Sequence, residues 1–265
     1  MPANVAGVND AGSPQDWFRD IPIITKILVV STVLSAAVVS FGLIAPHSLI
    51  FYWPTIYEKF EIWRLFTSVV FAGPFKFPFL MHTYMLYQNS LRYEQNAFNT
   101  GARGTSADFL WMILFCTGIL WVVSYVFDRH VLSEPLLFVI MYVRSRREPE
   151  ALANIFGFKF RAIYLPWVYV AFRLLIGESI VGPLIGIAVG HLYYFLVSVL
   201  PASHNTDLLR TPEFCVSFVE WSTGYSQPGL QPPRAPTSAS TRPANVGGFN
   251  RGGYNWGSGR TLGTN

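Results

Sequence analysis

The stretch SIVGPLIGIAVGHLYYFLVSVL, Ser179–Leu200, runs for 22 residues without an Asp, Glu, Lys or Arg. A helix that crosses a bilayer needs about 20 predominantly apolar residues, so this stretch predicts a spanning helix. Gly182, Gly186 and Gly190 recur at every fourth position and therefore share one face of that helix. Small residues at this spacing let two backbones approach closely. We therefore expect this face to carry a tight helix–helix contact.

Two further stretches, Ile27–Ala45 and Phe109–Phe127, each contain 19 residues and no charge, and they also predict spanning helices. Three weaker segments are Phe77–Ser90, Pro135–Val143 and Ala162–Gly177. These weaker segments are either further spans or pieces that lie at the interface or re-enter the membrane. The charge distribution favours six spans.

The composition is that of a membrane protein, because 51% of the 265 residues are hydrophobic and 13% are charged. A typical soluble domain has about 25% charged residues. With six spans, both termini share one side, and most loop lysines and arginines fall on it, whereas four fall on the other: Lys59, Arg64, Lys76 and Arg129. The positive-inside rule then predicts that both termini are cytosolic. The net charge of +4 reflects this bias and gives no indication of nucleic-acid binding.

The second and fifth predicted spans are unusual for membrane helices. The fifth, Ala162–Gly177, would extend about 24 Å across a hydrocarbon core of about 30 Å. The second carries polar side chains, the groove candidates His82, Gln88 and Asn89. Polar groups in a span face the protein interior or water, so either partner helices bond them or a hydrated groove enters the bilayer. Arg173 is expected to extend to the nearby interface.

The loop Pro46–Lys76 between the first two spans is rich in aromatic residues, which is typical of a segment at the membrane interface. It contains the pair Trp63–Arg64. The indole ring suits an anchor at headgroup level, and the guanidinium suits backbone carbonyls, Glu61 or lipid. The alternative is an ordinary anchor that only holds the loop in place.

The region after the last span is rich in Pro, Ser, Gly and Thr, and such a composition cannot build a core. It ends in YNWGSGRTLGTN, which holds a Trp and a Leu among glycines. Cys116 falls in a span and Cys215 in the tail, so no disulfide is expected. Two separate cysteines without nearby histidines also give no metal site and no cofactor.

A Trp–Arg pair in a long first loop, a Gly-rich last span and six helices resemble the rhomboid superfamily. Rhomboid proteases need a serine in a G-x-S-G setting at the start of the fourth span and a histidine from the sixth. This chain has no glycine from Ile119 to Phe156. The serines there, Ser124, Ser133 and Ser145, lack that setting. The resemblance therefore implies no catalytic residue, and His191, the fourth groove candidate, becomes a packing or polar-network residue.

The sequence resembles the Derlins, the rhomboid pseudoproteases of the endoplasmic reticulum, from Trp17 to Ala202. The matching segments are WFRDIPIITK, WRLFTSVVFAGPF, MYVRSRREPEALANIFGFKFRAIYLPWVYVAF and VGHLYYFL. The resemblance implies a non-enzymatic role in endoplasmic-reticulum-associated degradation, which ends in the ubiquitin–proteasome pathway. It also implies a link to the unfolded protein response. Its partners would be misfolded polypeptides, a membrane ubiquitin ligase complex and membrane lipid, with homo-oligomers also possible.

The tail resembles the short box by which Derlins bind the valosin-containing AAA ATPase. The matching residues are Trp256, Gly257, Gly259, Arg260, Leu262 and Gly263. The Trp and Leu would fill pockets while the glycines let the backbone lie close to the partner. The chain has no phosphate loop of the Walker type, so the partner would supply the pulling force.

These inferences predict an all-α polytopic membrane protein with six spans, a rhomboid-like fold and a disordered C-terminal tail. The expected segments are a cytosolic start (1–20), a membrane domain (21–202, with a lumenal loop at 46–76) and a tail (203–265, with the ATPase box at 254–263). The expected function is retrotranslocation of misfolded proteins through a locally thinned membrane. An intramembrane serine protease and a small-molecule transporter are the alternatives.

Overall fold

The computed structural model describes residues 18–155, 158–204 and 209–224. Helices dominate this part of the chain. In chain order the α-helices are α1 (Ile23–Ser40), α2 (Trp53–Lys59), α3 (Trp63–Val70), α4 (Phe77–Gln95), α5 (Ser106–Phe127), α6 (Ser133–Arg147), α7 (Leu165–Leu175), α8 (Val181–Tyr194), α9 (Leu200–His204) and α10 (Glu213–Thr223). Short 3₁₀ turns lie at Pro46–Ser48 and Ala162–Tyr164, and a π-helical turn, Phe195–Val199, joins α8 to α9.

Three of the described helices are long and apolar enough to cross a membrane: Ile23–Ser40, Ser106–Phe127 and Val181–Ala202. They coincide with the three uncharged stretches of the sequence, and those three predictions are confirmed. The weaker segments are also helical, as α4, α6 and α7, although none meets the same length and composition standard. Ala162–Leu175 is apolar but shorter.

The long helices run alternately up and down, which gives the bundle two distinct ends. One end holds residues 41–76 and is called the loop end. The other holds an antiparallel hairpin of β1 (Leu152–Ile155) and β2 (Phe158–Arg161), in which Leu152 pairs with Arg161, and is called the hairpin end. The hairpin is a departure from the predicted all-helical pattern, and it links α6 to α7.

Helix α6 lies at the centre of the bundle. Every residue from Pro135 to Ser145 is buried, and α6 packs against α3, α4, α5, α7 and α8. A helix that is surrounded by protein on all sides can be short and polar at its ends, because its neighbours shield it from lipid. This explains why the sequence signal of the fourth predicted span was weak.

The glycine face of α8 lies directly against α6. A Cβ atom added at Gly186 would come within 2.3 Å of the Pro135 carbonyl oxygen and 2.7 Å of the Phe138 Cβ. At Gly190 the same atom would lie 3.2 Å from the Tyr142 Cβ and 3.3 Å from the Val139 Cα. The two backbones are therefore as close as side-chain-free residues allow, and this contact fixes the position of α8 on α6.

Buried carboxylates tie the helices together at the hairpin end. Glu94, at the end of α4, accepts hydrogen bonds from the Ile24 and Thr25 amides and the Thr25 hydroxyl at 2.7–3.0 Å. These amides belong to the first turn of α1, where a negative charge is favourable. The ends of α1 and α4 are thereby joined.

Asp108, in the first turn of α5, forms a second buried tie. Its carboxylate accepts hydrogen bonds from the Thr100 hydroxyl at 2.8 Å, the Gly104 amide at 2.6 Å and the Thr211 hydroxyl. The Thr211 amide donates to the Thr100 carbonyl at 2.7 Å. The segment just before α10 is therefore held on the bundle.

Helix α10 changes the predicted boundary of the membrane domain. The sequence predicted a disordered tail from residue 203, yet α10 packs against α5 and α1 and buries Cys215 and Val219. Burial, helped by the nearby Asp108 carboxylate, raises the pKa of the Cys215 thiol to about 11. The prediction missed this helix because it is only 11 residues long and lies between polar segments.

The second and fifth predicted spans, Phe77–Ser90 and Ala162–Gly177, are both short stretches in the sequence, and the structure changes their lengths in opposite directions. Helix α4 has 19 residues, which is about 28 Å and close to the hydrocarbon core, so the prediction that the second span is short is wrong. Helix α7 has 11 residues, which is about 16 Å, and with its preceding 3₁₀ turn the segment extends about 22 Å. The fifth predicted span is therefore about 8 Å shorter than the hydrocarbon core.

The contact between α8 and α6 can be tested by adding one methyl group. We expect Gly186→Ala to destabilise the protein by about 1–3 kcal/mol, because the Pro135 carbonyl and the Phe138 side chain must move apart from α8. The matched control is Gly118→Ala in α5, where an added Cβ meets nothing within 4 Å. Thermal unfolding in detergent should show a lower midpoint for Gly186→Ala alone, and equal midpoints would contradict the close-contact interpretation.

Candidate functional site: a polar cleft between α4, α6 and α7

A cavity of about 230 Å³ lies at the hairpin end between α4, α6 and the start of α7, and we call it the polar cleft. Its lining residues are Tyr84, Met85, Gln88, Asn89, Arg92, Arg144, Ala153 and Leu165. Two arginines and two amides are among these described lining residues, and none of them is a carboxylate. Helices α4 and α7 both pack on α6 rather than mainly on each other, which leaves room for the cleft.

The interior of the polar cleft is organised by Asn89 and Arg144. Arg144 is only 3% exposed, and its Nη1 donates to the Asn89 Oδ1 at 2.7 Å. The Asn89 amide nitrogen donates in turn to the Met85 carbonyl at 2.7 Å. Burying a guanidinium is costly unless its N–H groups find acceptors, so this pairing helps to hold a charge inside the bundle.

The four groove candidates from the sequence do not form one group. Gln88 and Asn89 both line the polar cleft, whereas His82 and His191 do not. His82 is 5% exposed within α4, and its Nε2 has no hydrogen-bond partner among the described residues. His191 is exposed on α8. The polar character of α4 is therefore divided between its packed interior and the cleft.

His191 takes part in a second polar group between α8 and α6. Its Nδ1 lies 2.7 Å from the Tyr142 hydroxyl, and the two rings meet edge to face. Arg146 Nε donates to the same hydroxyl at 3.0 Å, and the guanidinium also lies over the Tyr142 ring. Tyr142 can donate to the histidine while it accepts from the arginine, so the three side chains form a satisfied chain of contacts.

Two of the three serines considered in the sequence donate to backbone carbonyls. The Ser133 hydroxyl donates to the Phe71 carbonyl at 2.8 Å, and the Ser145 hydroxyl donates to the Tyr142 carbonyl at 2.6 Å. Ser124 is buried in α5. A histidine activates a serine only within hydrogen-bond reach, and the described geometry brings Tyr142 to His191 instead.

The loop pair Trp63–Arg64 stands at the start of α3. Trp63 is 52% exposed, and Arg64 is buried. The guanidinium donates to the Ile50 carbonyl at 3.1 Å, to the His47 carbonyl and to the Glu61 carboxylate. Arg64 thus joins α3 to the turn after α1. Its partners are of the kinds expected from the sequence, backbone carbonyls and Glu61.

Arg173, which was predicted to extend to the nearby interface, forms two ion pairs at the loop end of the bundle. Its Nη2 lies 2.8 Å from Glu134 Oε1 and 2.7 Å from Glu178 Oε2, and its side chain is 14% exposed. Glu134 begins α6 and Glu178 follows α7. The arginine therefore links the loop ends of α6 and α7 at the side where α8 begins, a pairing across 39 residues that no local pattern reveals.

The predicted ATPase box, Trp256, Gly257, Gly259, Arg260, Leu262 and Gly263, lies outside the described residues. The groups of His, Cys, Asp and Glu in the described part of the chain include none suited to hold a metal ion.

Comparison with known proteins identifies the family. The model of the Der1-like family matches residues 21–213. The chain belongs to this family, the Derlins. It is 36% identical to Derlin-1 of Homo sapiens over 254 residues, which cover 94% of this chain and 97% of that protein. It is 34% identical to Derlin-1.2 of Zea mays over 205 residues, which cover 76% and 83% of the two chains.

Membership of the Derlin family confirms the predicted class, a helical multi-pass membrane protein. The matched region ends at residue 213, at the first residue of α10. Sequence reasoning on this Derlin missed Tyr142, Arg144 and Arg146 as participants in polar contacts, because it counted the arginines only as loop charges. The spacing of Tyr142 and Arg146, four residues apart on a helix, was the signal that could have revealed one of these contacts.

The ion pairs of Arg173 can be tested against an exposed pair in the same Derlin. We expect Arg173→Gln to destabilise the fold by about 2 kcal/mol, because Glu134 and Glu178 would face each other without a cation. Arg173→Gln combined with Glu134→Gln should restore part of this loss. The control is Arg161→Gln, whose 3.5 Å pair with Glu150 is largely exposed and should matter little. Equal unfolding midpoints for Arg173→Gln and Arg161→Gln would contradict this role.

Proposed function

We propose that this Derlin is a non-enzymatic component of endoplasmic-reticulum-associated degradation that helps misfolded proteins to return to the cytosol. In this proposal the protein lies in the endoplasmic reticulum membrane with six spans in a rhomboid-like arrangement. It works beside a membrane ubiquitin ligase complex. Membership of the Derlin family supports the general role.

The observation that carries the proposal is the short α7 beside the polar cleft. The segment Ala162–Leu175 extends about 22 Å, whereas the hydrocarbon core is about 30 Å thick. A bilayer next to a short apolar helix thins or deforms to match it. The cleft opens beside the same helix, so the membrane is thinnest where polar side chains are available.

A polypeptide gains from such a path for a simple reason. Each unpaired backbone N–H or C=O group costs several kcal/mol in hydrocarbon. A thinner bilayer shortens the stretch over which these groups lack partners. Gln88 and Asn89 offer amide groups in the cleft, and Arg92 offers an exposed cation at its mouth. The protein lowers the barrier to crossing, and it supplies no chemical step.

The distribution of charge supports a cytosolic hairpin end. The described basic residues there are Arg19, Lys26, Arg92, Arg103, Arg144, Arg146, Arg147, Lys159, Arg161 and Arg210, and those at the loop end are Lys59, Arg64, Lys76, Arg129 and Arg173. The positive-inside rule assigns the more basic end to the cytosol. The loop of residues 46–76 would then face the lumen, and both termini would be cytosolic.

The proposal of a non-enzymatic role rests on the geometry around His191. In the described structure His191 contacts Tyr142, and the Ser133 hydroxyl donates to Phe71. A serine–histidine pair of the rhomboid type would need these side chains to meet. The geometry therefore favours a polar-network role for His191 over that of a catalytic base.

The proposed source of pulling force is the valosin-containing AAA ATPase, recruited by the box at residues 254–263. The alignment with human Derlin-1 covers 94% of the chain and so extends beyond residue 224. A chain of about 30 residues between α10 and the box would reach about 30 Å if flexible. Such a tether raises the local concentration of the ATPase at the hairpin end.

Site-specific photocrosslinking tests the proposed path. A photoreactive residue at Gln88, in the polar cleft, should crosslink to a misfolded substrate that is arrested during extraction. The control is the same residue at Val33 on α1, which lines a second, largely apolar groove between α1 and α4 and does not line the polar cleft. Crosslinks from Val33 but not Gln88 would contradict a path along the cleft.

Pull-down from mild detergent tests the proposed ATPase box. We expect Trp256→Ala with Leu262→Ala to abolish capture of the ATPase, because both apolar anchors of the box are lost. The control is Val246→Ala with Phe249→Ala, which removes two apolar side chains that precede the box. The thermal midpoint of the membrane domain should be the same in both. Retained binding by the first variant would overturn the assignment of the box.

A further inference from the structure

The buried guanidinium of Arg144 is incompletely bonded. Its Nη1 donates to Asn89, but its Nε and Nη2 have no hydrogen-bond partner among the described residues. The side chain is 97% buried, since only 3% of the residue is exposed. Leaving charged N–H groups without acceptors in a protein interior is costly, so an arginine in this state calls for an acceptor from elsewhere.

The surroundings of Arg144 select an anion as that acceptor. Among the described residues that line the polar cleft, Arg144 and Arg92 are the charged ones and none is a carboxylate. Two like charges therefore face one cavity and repel each other. Glu148, four residues after Arg144, accepts a hydrogen bond from Asn96 at 2.6 Å. An anion between the two arginines would relieve the repulsion and accept from their N–H groups.

The size and position of the polar cleft favour a phosphate that carries a lipid. A volume of about 230 Å³ exceeds by several-fold the roughly 30 Å³ that a water molecule occupies. Arg92 stands in the last turn of α4, at the end of a membrane helix, where lipid headgroups lie. Tyr84, Met85 and Leu165 line the same cavity and offer a largely apolar surface to the glycerol and the first acyl carbons.

We propose that the polar cleft binds the phosphate group of a phospholipid between Arg144 and Arg92, with a preference for anionic headgroups. Nε and Nη2 of Arg144 are closed to solvent in the described structure, so the guanidinium must turn to present them to the phosphate. It would pivot about the hydrogen bond from Nη1 to Asn89, which is kept. The lipid would occupy the cleft at rest, and this inference does not depend on polypeptide passage through it.

Lipid binding to the purified full-length protein tests the proposal by native mass spectrometry. We expect phosphatidylinositol or phosphatidylserine to remain bound where phosphatidylcholine dissociates. Arg144→Gln should weaken binding about tenfold, as expected for the loss of a charge-assisted contact. Arg146→Gln is the matched control, because it removes the same charge two residues away, from the side chain that contacts Tyr142 instead of the cleft. It should leave lipid binding unchanged.

Arg144 is buried, so its replacement can disturb folding, and an exposed residue provides a second test. Arg92→Glu, at the mouth of the cleft, should also weaken anionic lipid binding about tenfold while the thermal midpoint stays unchanged. Equal lipid binding by the parent, Arg144→Gln and Arg92→Glu would overturn the proposal.

Inorganic phosphate distinguishes the two sources of this anion. In one outcome, inorganic phosphate raises the thermal midpoint, the rise is lost in Arg144→Gln and Arg92→Glu, and phospholipid does not bind. The cleft is then a phosphate site whose ligand is a soluble phosphate. Binding of neither phosphate nor phospholipid would overturn it, as would selective binding of an acidic peptide.

Discussion

The contact of α8 on α6 is the constraint on which the rest of the structure depends. Gly186 lies so close to the Pro135 carbonyl that no side chain fits between them. This close approach fixes α8 against the central helix α6. Helices α4 and α7 also pack against α6. Because α6 takes up the space at the centre, α4 and α7 meet chiefly through it and not through each other. The polar cleft follows from this arrangement.

In the proposed function, the cleft and the short α7 would act on the membrane in complementary ways. A segment of about 22 Å would draw the two surfaces of the bilayer together beside α7. The cleft would then supply hydrogen-bonding groups and positive charge at the hairpin end, so that water and lipid phosphate enter where hydrocarbon would otherwise lie. The ion pairs of Arg173 with Glu134 and Glu178 hold the opposite end of α7 to α6 and keep it from tilting away. A protein built in this way can ease a crossing without any reaction of its own.

The sequence predicted the features that depend on local patterns. Long uncharged stretches identified α1, α5 and the segment from α8 to α9, and the four-residue glycine spacing indicated the face of α8 that meets α6. The bounds of α4 and α7 were less predictable, because their ends depend on neighbouring elements. For example, α4 continues through Glu94, whose buried carboxylate accepts hydrogen bonds from the first turn of α1. Helix α10 was missed because its stability comes from packing on α5 and from the Asp108 tie, not from a long apolar run.

The candidate site was predictable only in part, for the same physical reason. Gln88 and Asn89 could be singled out because polar residues in a predicted span need an explanation. Arg144 could not, since it stands among other arginines at a helix end, and only the fold shows that it points inward to Asn89 across 55 residues of chain. His191 was predicted to be a packing or polar-network residue, and only the fold shows which partner it contacts, the Tyr142 hydroxyl.

The most direct test of this account is the thickness of the bilayer around the reconstituted protein, measured by electron cryomicroscopy in lipid nanodiscs. The distance between the two phosphate layers beside α7 should be smaller than beside α1 by about 5 Å or more, because α7 and its preceding turn are shorter than the hydrocarbon core. A bilayer of the same, ordinary thickness beside both helices would contradict the account.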